Sequence, residues 1–185
     1  GEFITEAASA ELNTLLRNTL LKRLQTNPDP FYNEMLSWLY IQQKEYNKAL
    51  SIIAIEEKNN PEIAAEIYFI KGNIYASLNS FENASVAYSQ ALQIDSSHSH
   101  SRNNLSLLLA DKGQIQDAIN LLSKHTDDPR ALLNIALFKI KLGKYLDAEK
   151  MLHEAKKLQP ENPKIYQHIG SLSLKQGRQN EAERA

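Results

Sequence analysis

The residues able to carry chemistry are few: five histidines, scattered carboxylates and no cysteine. The closest histidine pair is His98 and His100, separated by Ser99. A zinc site takes about three or four protein ligands, so two imidazoles without a neighbouring acidic cluster fall short, and no metal is expected. The lack of cysteine removes disulfides, thiolate metal sites and a thiol nucleophile. Two carboxylate pairs, Glu56-Glu57 and Asp127-Asp128, read as loop or helix-end charges with no burial to shift their titration. No phosphate-cradling P-loop, dinucleotide GxGxxG or nucleophile-elbow GxSxG occurs. The chain therefore reads as non-catalytic, with no cofactor. Two sequons, Asn83-Ala84-Ser85 and Asn104-Leu105-Ser106, matter only in a glycosylating secretory route.

Composition narrows the partner class. Apolar residues make up 42% and charged residues 23% of the 185 positions, as in an ordinary folded domain. The net charge of −1 gives the whole chain no electrostatic pull toward nucleic acid or an anionic membrane. Charge is nonetheless uneven: residues 1–98 carry 7 basic against 12 acidic side chains, and residues 99–185 carry 14 against 10. The halves, at −5 and +4, would favour different partner surfaces. No apolar run approaches the roughly 20 residues that span a bilayer.

A repeat organises the rest. Four stretches place an aromatic residue or Ile, then Ala three residues on, then a large residue four later: Tyr46/Ala49/Ile53, Phe81/Ala84/Tyr88, Ile115/Ala118/Leu122 and Tyr145/Ala148/Leu152. A fifth copy begins at Gln179 with Ala182. The alanines are spaced by 35, 34, 30 and 34 residues. Five residues before them stand Asn79, Gly113, Gly143 and Gly177, turn formers suited to the left-handed backbone that ends a helix, with Lys44 the exception. Twelve before them stand Ser37, Gly72, Ser106, Ala136 and Gly170, all small. Pro61 and Pro160 follow twelve after, where a proline halts the second helix; Ser96 replaces it once.

This pattern resembles the tetratricopeptide-repeat (TPR) family, whose unit is a helix–turn–helix of about 34 residues. The resemblance covers residues 30–185 and implies an all-α, right-handed α-solenoid with an extra N-terminal helix. Small residues let the two helices of a unit cross closely, and each unit buries one face against its neighbour. The units read as 30–63, 65–98, 99–128, 129–162 and a truncated 163–185. One extra residue between Ala49 and Ala84 falls in the loop near Pro61. The third unit is four residues short, about one helical turn or 6 Å. His125 stands where its second alanine belongs, so its second helix stops early and Asp127-Asp128-Pro129 opens the next unit.

Residues 4–28 form the N-terminal helix, amphipathic over 6–26, with Leu12, Leu16, Leu20 and Leu24 in register. With Pro28 after it, this helix reads as a cap, the remnant of an earlier unit, or a strip for a partner helix. Gly1-Glu2-Phe3 reads as a cloning scar and no signal peptide. The ending at Ala182-Glu183-Arg184-Ala185, inside a helix pair, reads as an excised segment.

In the family, first helices line a concave groove. The resemblance implies that Phe31, Trp38, Ile41 and Phe69 with Asn73 contribute to it early. Asn103, Asn104, Arg130, Asn134, Lys141, Lys164 and His168 contribute later. Phe31, Trp38 and Phe69 are candidate aromatic anchors. Asn104 and Asn134, in equivalent places and followed by His168, resemble an asparagine ladder that pairs with an extended peptide backbone through both donor and acceptor. Arg130 and Lys164 could take a carboxylate. Asn73, Asn104 and Arg130 match places of the family's carboxylate clamp for chaperone tails. Phe69 and Asn134 stand where that clamp needs basic residues, so it is not expected.

The expected function is a protein-interaction module that binds an extended peptide or partner segment in the groove. The alternatives are a spacer or assembly subunit using its convex face or ends, and the non-catalytic TPR portion of a larger enzyme. The partner is expected to be protein, without nucleic acid and without membrane insertion by this segment. The stretch 30–50 is similar to segments of large exported bacterial TPR proteins, which leaves the compartment open between cytoplasm and bacterial periplasm.

Overall fold

The computed structural model describes the backbone of residues 2–27, 29–59 and 61–184, and the side chains of residues 10–27, 29, 31–58 and 62–177. Gly1 of the expected scar, Pro28, Ala185 and the side chains of Gln179 and Ala182 lie outside the described residues. Among the described residues there are ten α-helices, one short 3-10 turn and no strand. They form two compact units, residues 1–96 and 97–185.

The first unit holds α1 (Glu2–Thr26), α2 (Pro30–Gln42), α3 (Tyr46–Asn59), the 3-10 turn Pro61–Ile63, α4 (Ala64–Ser77) and α5 (Phe81–Ile94). The 3-10 turn lies in the loop where the extra residue was expected. The second unit holds α6 (Ser99–Asp111), α7 (Ile115–Leu122), α8 (Pro129–Lys141), α9 (Tyr145–Leu158) and α10 (Pro163–Arg184). As the short third unit implies, α7 has 8 residues where α3, α5 and α9 have 14.

Short-range chemistry sets the helix starts. Asp29 Oδ1 accepts from Phe31 N at 2.9 Å, Asp128 Oδ1 from Arg130 N at 2.9 Å, and Asn162 Oδ1 from Lys164 N at 3.1 Å. Each cap precedes a proline, whose fixed φ and missing N–H suit the first helical position. The turns inside four pairs use one left-handed residue each: Lys44 (φ 58), Asn79 (φ 57), Gly113 (φ 83) and Gly143 (φ 71). Lys44 thus adopts the turn conformation despite its side chain. At Gly177 the expected turn is absent, because α10 runs unbroken from Pro163 to Arg184.

Packing follows the repeat frame. Ala49, Ala84, Ala118 and Ala148 have no exposed surface, and Ile53, Tyr88, Leu122 and Leu152 are buried beside them. Ser37, Gly72, Ser106 and Ala136 are buried on the first helices. Gly170 is exposed, since no second helix folds against it. In α1, which packs against α2, Leu20 is buried in the core of the first unit, with Leu16 and Leu24 partly buried beside it. Leu12, expected in the same stripe, is 64% exposed, as is Leu15.

Gly72 shows how tight the crossing is: a Cβ there would sit 2.3 Å from the Tyr88 ring. Gly72→Ala is expected to destabilise the protein by about 1–3 kcal/mol through overpacking. Gly170→Ala, with open space around the Cβ, should stabilise α10 by about 0.5–1 kcal/mol. Urea midpoints of the two variants, read by circular dichroism, check both signs. By the same measurement Lys44→Gly should gain about 0.5–1 kcal/mol, because glycine removes the left-handed cost of a side chain.

Candidate protein-interaction surface

In the first unit, Phe31 and Trp38 lie seven residues apart on α2, two helical turns along one face. Both are 57% exposed. Trp38 is therefore not covered by α1. The Phe31 ring is steadied edge-on against Tyr32, with centroids 5.9 Å apart. Phe69 and Asn73 are placed differently: Phe69 tilts onto the Tyr88 ring at 6.2 Å, and Tyr88 Oη donates to Asn73 Oδ1 at 2.8 Å. These two predicted groove residues thus also hold α4 to α5.

The carboxylate pair Glu56-Glu57 departs from the expected exposed charges. Glu56 is buried and accepts from Asn33 Nδ2. Glu57 pairs with Lys71, whose ammonium lies 4.9 Å from the Tyr68 ring centre. Hydrogen bonds from Lys71 and then Tyr68 hold the Glu57 carboxyl below the usual range, and the same contact pushes the Tyr68 phenol up. The helical period, which puts residue 56 on the face of Ala49 and Ile53, was the signal that could have placed Glu56 inside.

In the second unit the polar residues converge on Asn103, which is buried. Its amide donates to Ser99 O at 2.9 Å and to Asp128 Oδ2 at 2.8 Å, and its Oδ1 accepts from Asn134 Nδ2 at 3.0 Å. Arg130 Nη2 donates to Ser99 Oγ at 3.1 Å, and its Nε lies 3.5 Å from Asp128 Oδ1. Arg130 and Asn134 are thus brought together through Asn103 and Asp128. Asn104 is half-buried on the neighbouring position of α6. Lys164 and His168 sit one turn apart on α10, the first exposed and the second half-buried. Burial, and then the Lys164 charge, lower the pKa of His168.

The close histidine pair has a structural use. His98 Nδ1 accepts from Ser101 N at 3.2 Å and caps α6, with its ring centre 6.1 Å from that of His100. Among the described residues no group of three metal-ligating side chains occurs, and no helix is long and apolar enough to cross a membrane.

The tetratricopeptide repeat model matches residues 65–98 and 129–162. The chain carries tetratricopeptide repeats. No curated protein matches this TPR chain in sequence. Its fold is similar to that of a TPR protein from Parabacteroides merdae, at a TM-score of 0.72 and 17% identity over 99% of this chain and 74% of that one. It is also similar to TTC0263, a TPR protein of Thermus thermophilus, at 0.69 and 16% over 92% and 95%. YrrB, described as a TPR protein with an unusual peptide-binding site, gives 0.60 and 16% over 92% and 89%. At these identities the likeness establishes the fold alone. The fold class is all-α, built of TPR helix pairs, and its general role is that of a protein-interaction module.

Asn103→Ala is expected to cost about 1–3 kcal/mol, because Asp128 and Asn134 lose a buried partner; Asn134→Ala should cost less. Chemical denaturation compares them. His168 binds its proton less readily when folded, so its contribution to stability is complete above about pH 6.5 and is lost as pH falls through the lowered value. The drop in thermal midpoint from about pH 7.5 to about pH 5.5 should shrink in His168→Gln.

Proposed function

We propose that this TPR chain is a non-catalytic adaptor that binds an extended segment of a partner protein along the first helices of its repeats, with Phe31 and Trp38 as anchors. The observation that supports this is their exposure. Tyr40, Tyr88 and Phe138 are buried, whereas the two aromatics of the α2 face stand in solvent. Large aromatic residues dominate binding energy when a partner covers them, and an exposed tryptophan contributes little to folding. In the second unit, Asn104, Arg130, Asn134, Lys164 and His168 offer amide, guanidinium, ammonium and imidazole groups to peptide backbone or carboxylate. Phe69 and Asn73 would flank the segment on α4 of the first unit.

A second reading, an assembly subunit, draws on the exposed Leu12 and Leu15 of α1. One experiment separates the two. Capture from a lysate of the source organism, with quantified partner recovery, compares the wild type with three double variants. Phe31→Ala with Trp38→Ala should weaken capture by about 2 kcal/mol or more while leaving the fold intact. Asn104→Ala with Asn134→Ala should cost on the order of 0.5–1.5 kcal/mol for each hydrogen bond lost. If both capture normally and Leu12→Glu with Leu15→Glu abolishes recovery, the assembly reading replaces this one.

A further inference from the structure

Glu34 is the one charged residue of α2. Helical ion pairs form between residues three or four apart, and those positions around Glu34 hold Pro30, Phe31, Ser37 and Trp38. It also lies beyond the first turn, where a carboxylate would offset the helix dipole. Its side chain is exposed and enters no hydrogen bond or ion pair among the described residues. Glu56 and Glu66 differ, since each already interacts within the chain. Arg17, Lys48 and Lys71 of the same unit pair with Glu45 and Glu57.

Aromatic surface flanks Glu34 instead. Phe31 precedes it by three residues and Trp38 follows it by four. At about 100° per residue, all three lie within about 60° of one another around the helix. Both rings stand in solvent. Phe31, Glu34 and Ser37 also line a cleft of about 270 Å³, together with Ile63 of the 3-10 turn and Ile67 of α4. A partner that covers Phe31 and Trp38 must therefore cover Glu34 as well. Desolvating a carboxylate without a counter-charge costs more than the apolar contact returns. The partner has to bring a cation, and the first unit, with 7 basic against 12 acidic side chains over residues 1–98, attracts one.

We propose that the segment bound along α2 places an arginine on this stripe, its guanidinium paired with the Glu34 carboxylate and stacked on the Trp38 ring. The inference rests on the reading that a partner lies along α2, and it names the residue that partner brings. Arginine fits better than lysine. Its planar fork engages a carboxylate through two parallel hydrogen bonds, lies flat on an indole face and is more weakly hydrated than an ammonium.

Trp38 is the sole tryptophan of the chain, so its indole N–H gives a single assignable resonance. The isotope-labelled protein is titrated with Nα-acetyl-arginine methylamide at constant ionic strength. A probe this small should bind on the order of 10 mM, so the titration runs to about 100 mM. Saturable shifts are expected at the Trp38 indole and the Glu34 amide. The citrulline analogue, equal in shape and uncharged, should bind at least about fivefold more weakly. Glu34→Gln should weaken arginine binding about three- to fivefold, and Glu34→Lys should abolish it. Glu34 is exposed, so both variants should keep the wild-type unfolding midpoint, and loss of binding is separable from loss of fold. No saturable shift, an equal response to citrulline, or undiminished binding in both Glu34 variants overturns the proposal. Probe binding beside normal capture by the Phe31/Trp38 variant removes the α2-face reading and this inference with it. Impaired capture without probe binding removes the arginine alone.

Discussion

Each helix pair closes over an alanine of its second helix. Ala49, Ala84, Ala118 and Ala148 have no exposed surface, and the first helices present Ser37, Gly72, Ser106 and Ala136 toward the core. Close approach of two helices leaves no room for longer side chains at the crossing, and dispersion contacts fade steeply with any gap. Larger residues can then fill only the flanks, where Ile53, Tyr88, Leu122 and Leu152 stand. The spacing of alanines along the chain thus sets where each pair packs, and through that which face of each first helix is left outside.

That constraint explains how much could be read in advance. The alanine frame located the helix pairs, the turn positions and the short α7, because packing at those points tolerates few residue types. It identified Lys44 as an exception, yet Lys44 takes the same left-handed conformation as its glycine counterparts; the geometry of the pair overrides the local preference of a single residue. Gly177 is the reverse case. Its residue type asked for a turn, and without a second helix to pack back the helical ladder prevails. Local signals decide only where tertiary packing agrees with them.

Polar residues were harder to read, since their roles depend on what lies opposite. Asn103 and Asn104 are adjacent and alike in sequence, but a helix turns about 100° per residue, which separates their surroundings. Asn103 is sealed inside and gathers Ser99, Asp128 and Asn134, while Asn104 stays half-buried. Glu56 was read as one more surface charge because adjacent acidic residues usually are. Its distance from Ala49 was the better guide. His98, read only as half of a pair too small to hold a metal, turns out to accept through Nδ1 from the first turn of α6.

The brevity of α7 has a consequence for motion. Eight residues make little more than two turns, well short of the roughly 12–15 at which an isolated helix becomes even marginal in water. Ala118, Ile119 and Leu122 are buried in one cluster with residues of α6 and α8, so α7 exists as a helix only while those neighbours hold it. The backbone hydrogen bonds that protect its amide protons therefore persist only while those neighbours hold the helix in place. Deuterium uptake across Ile115–Leu122 is a gauge of how often α7 leaves its seat between α6 and α8.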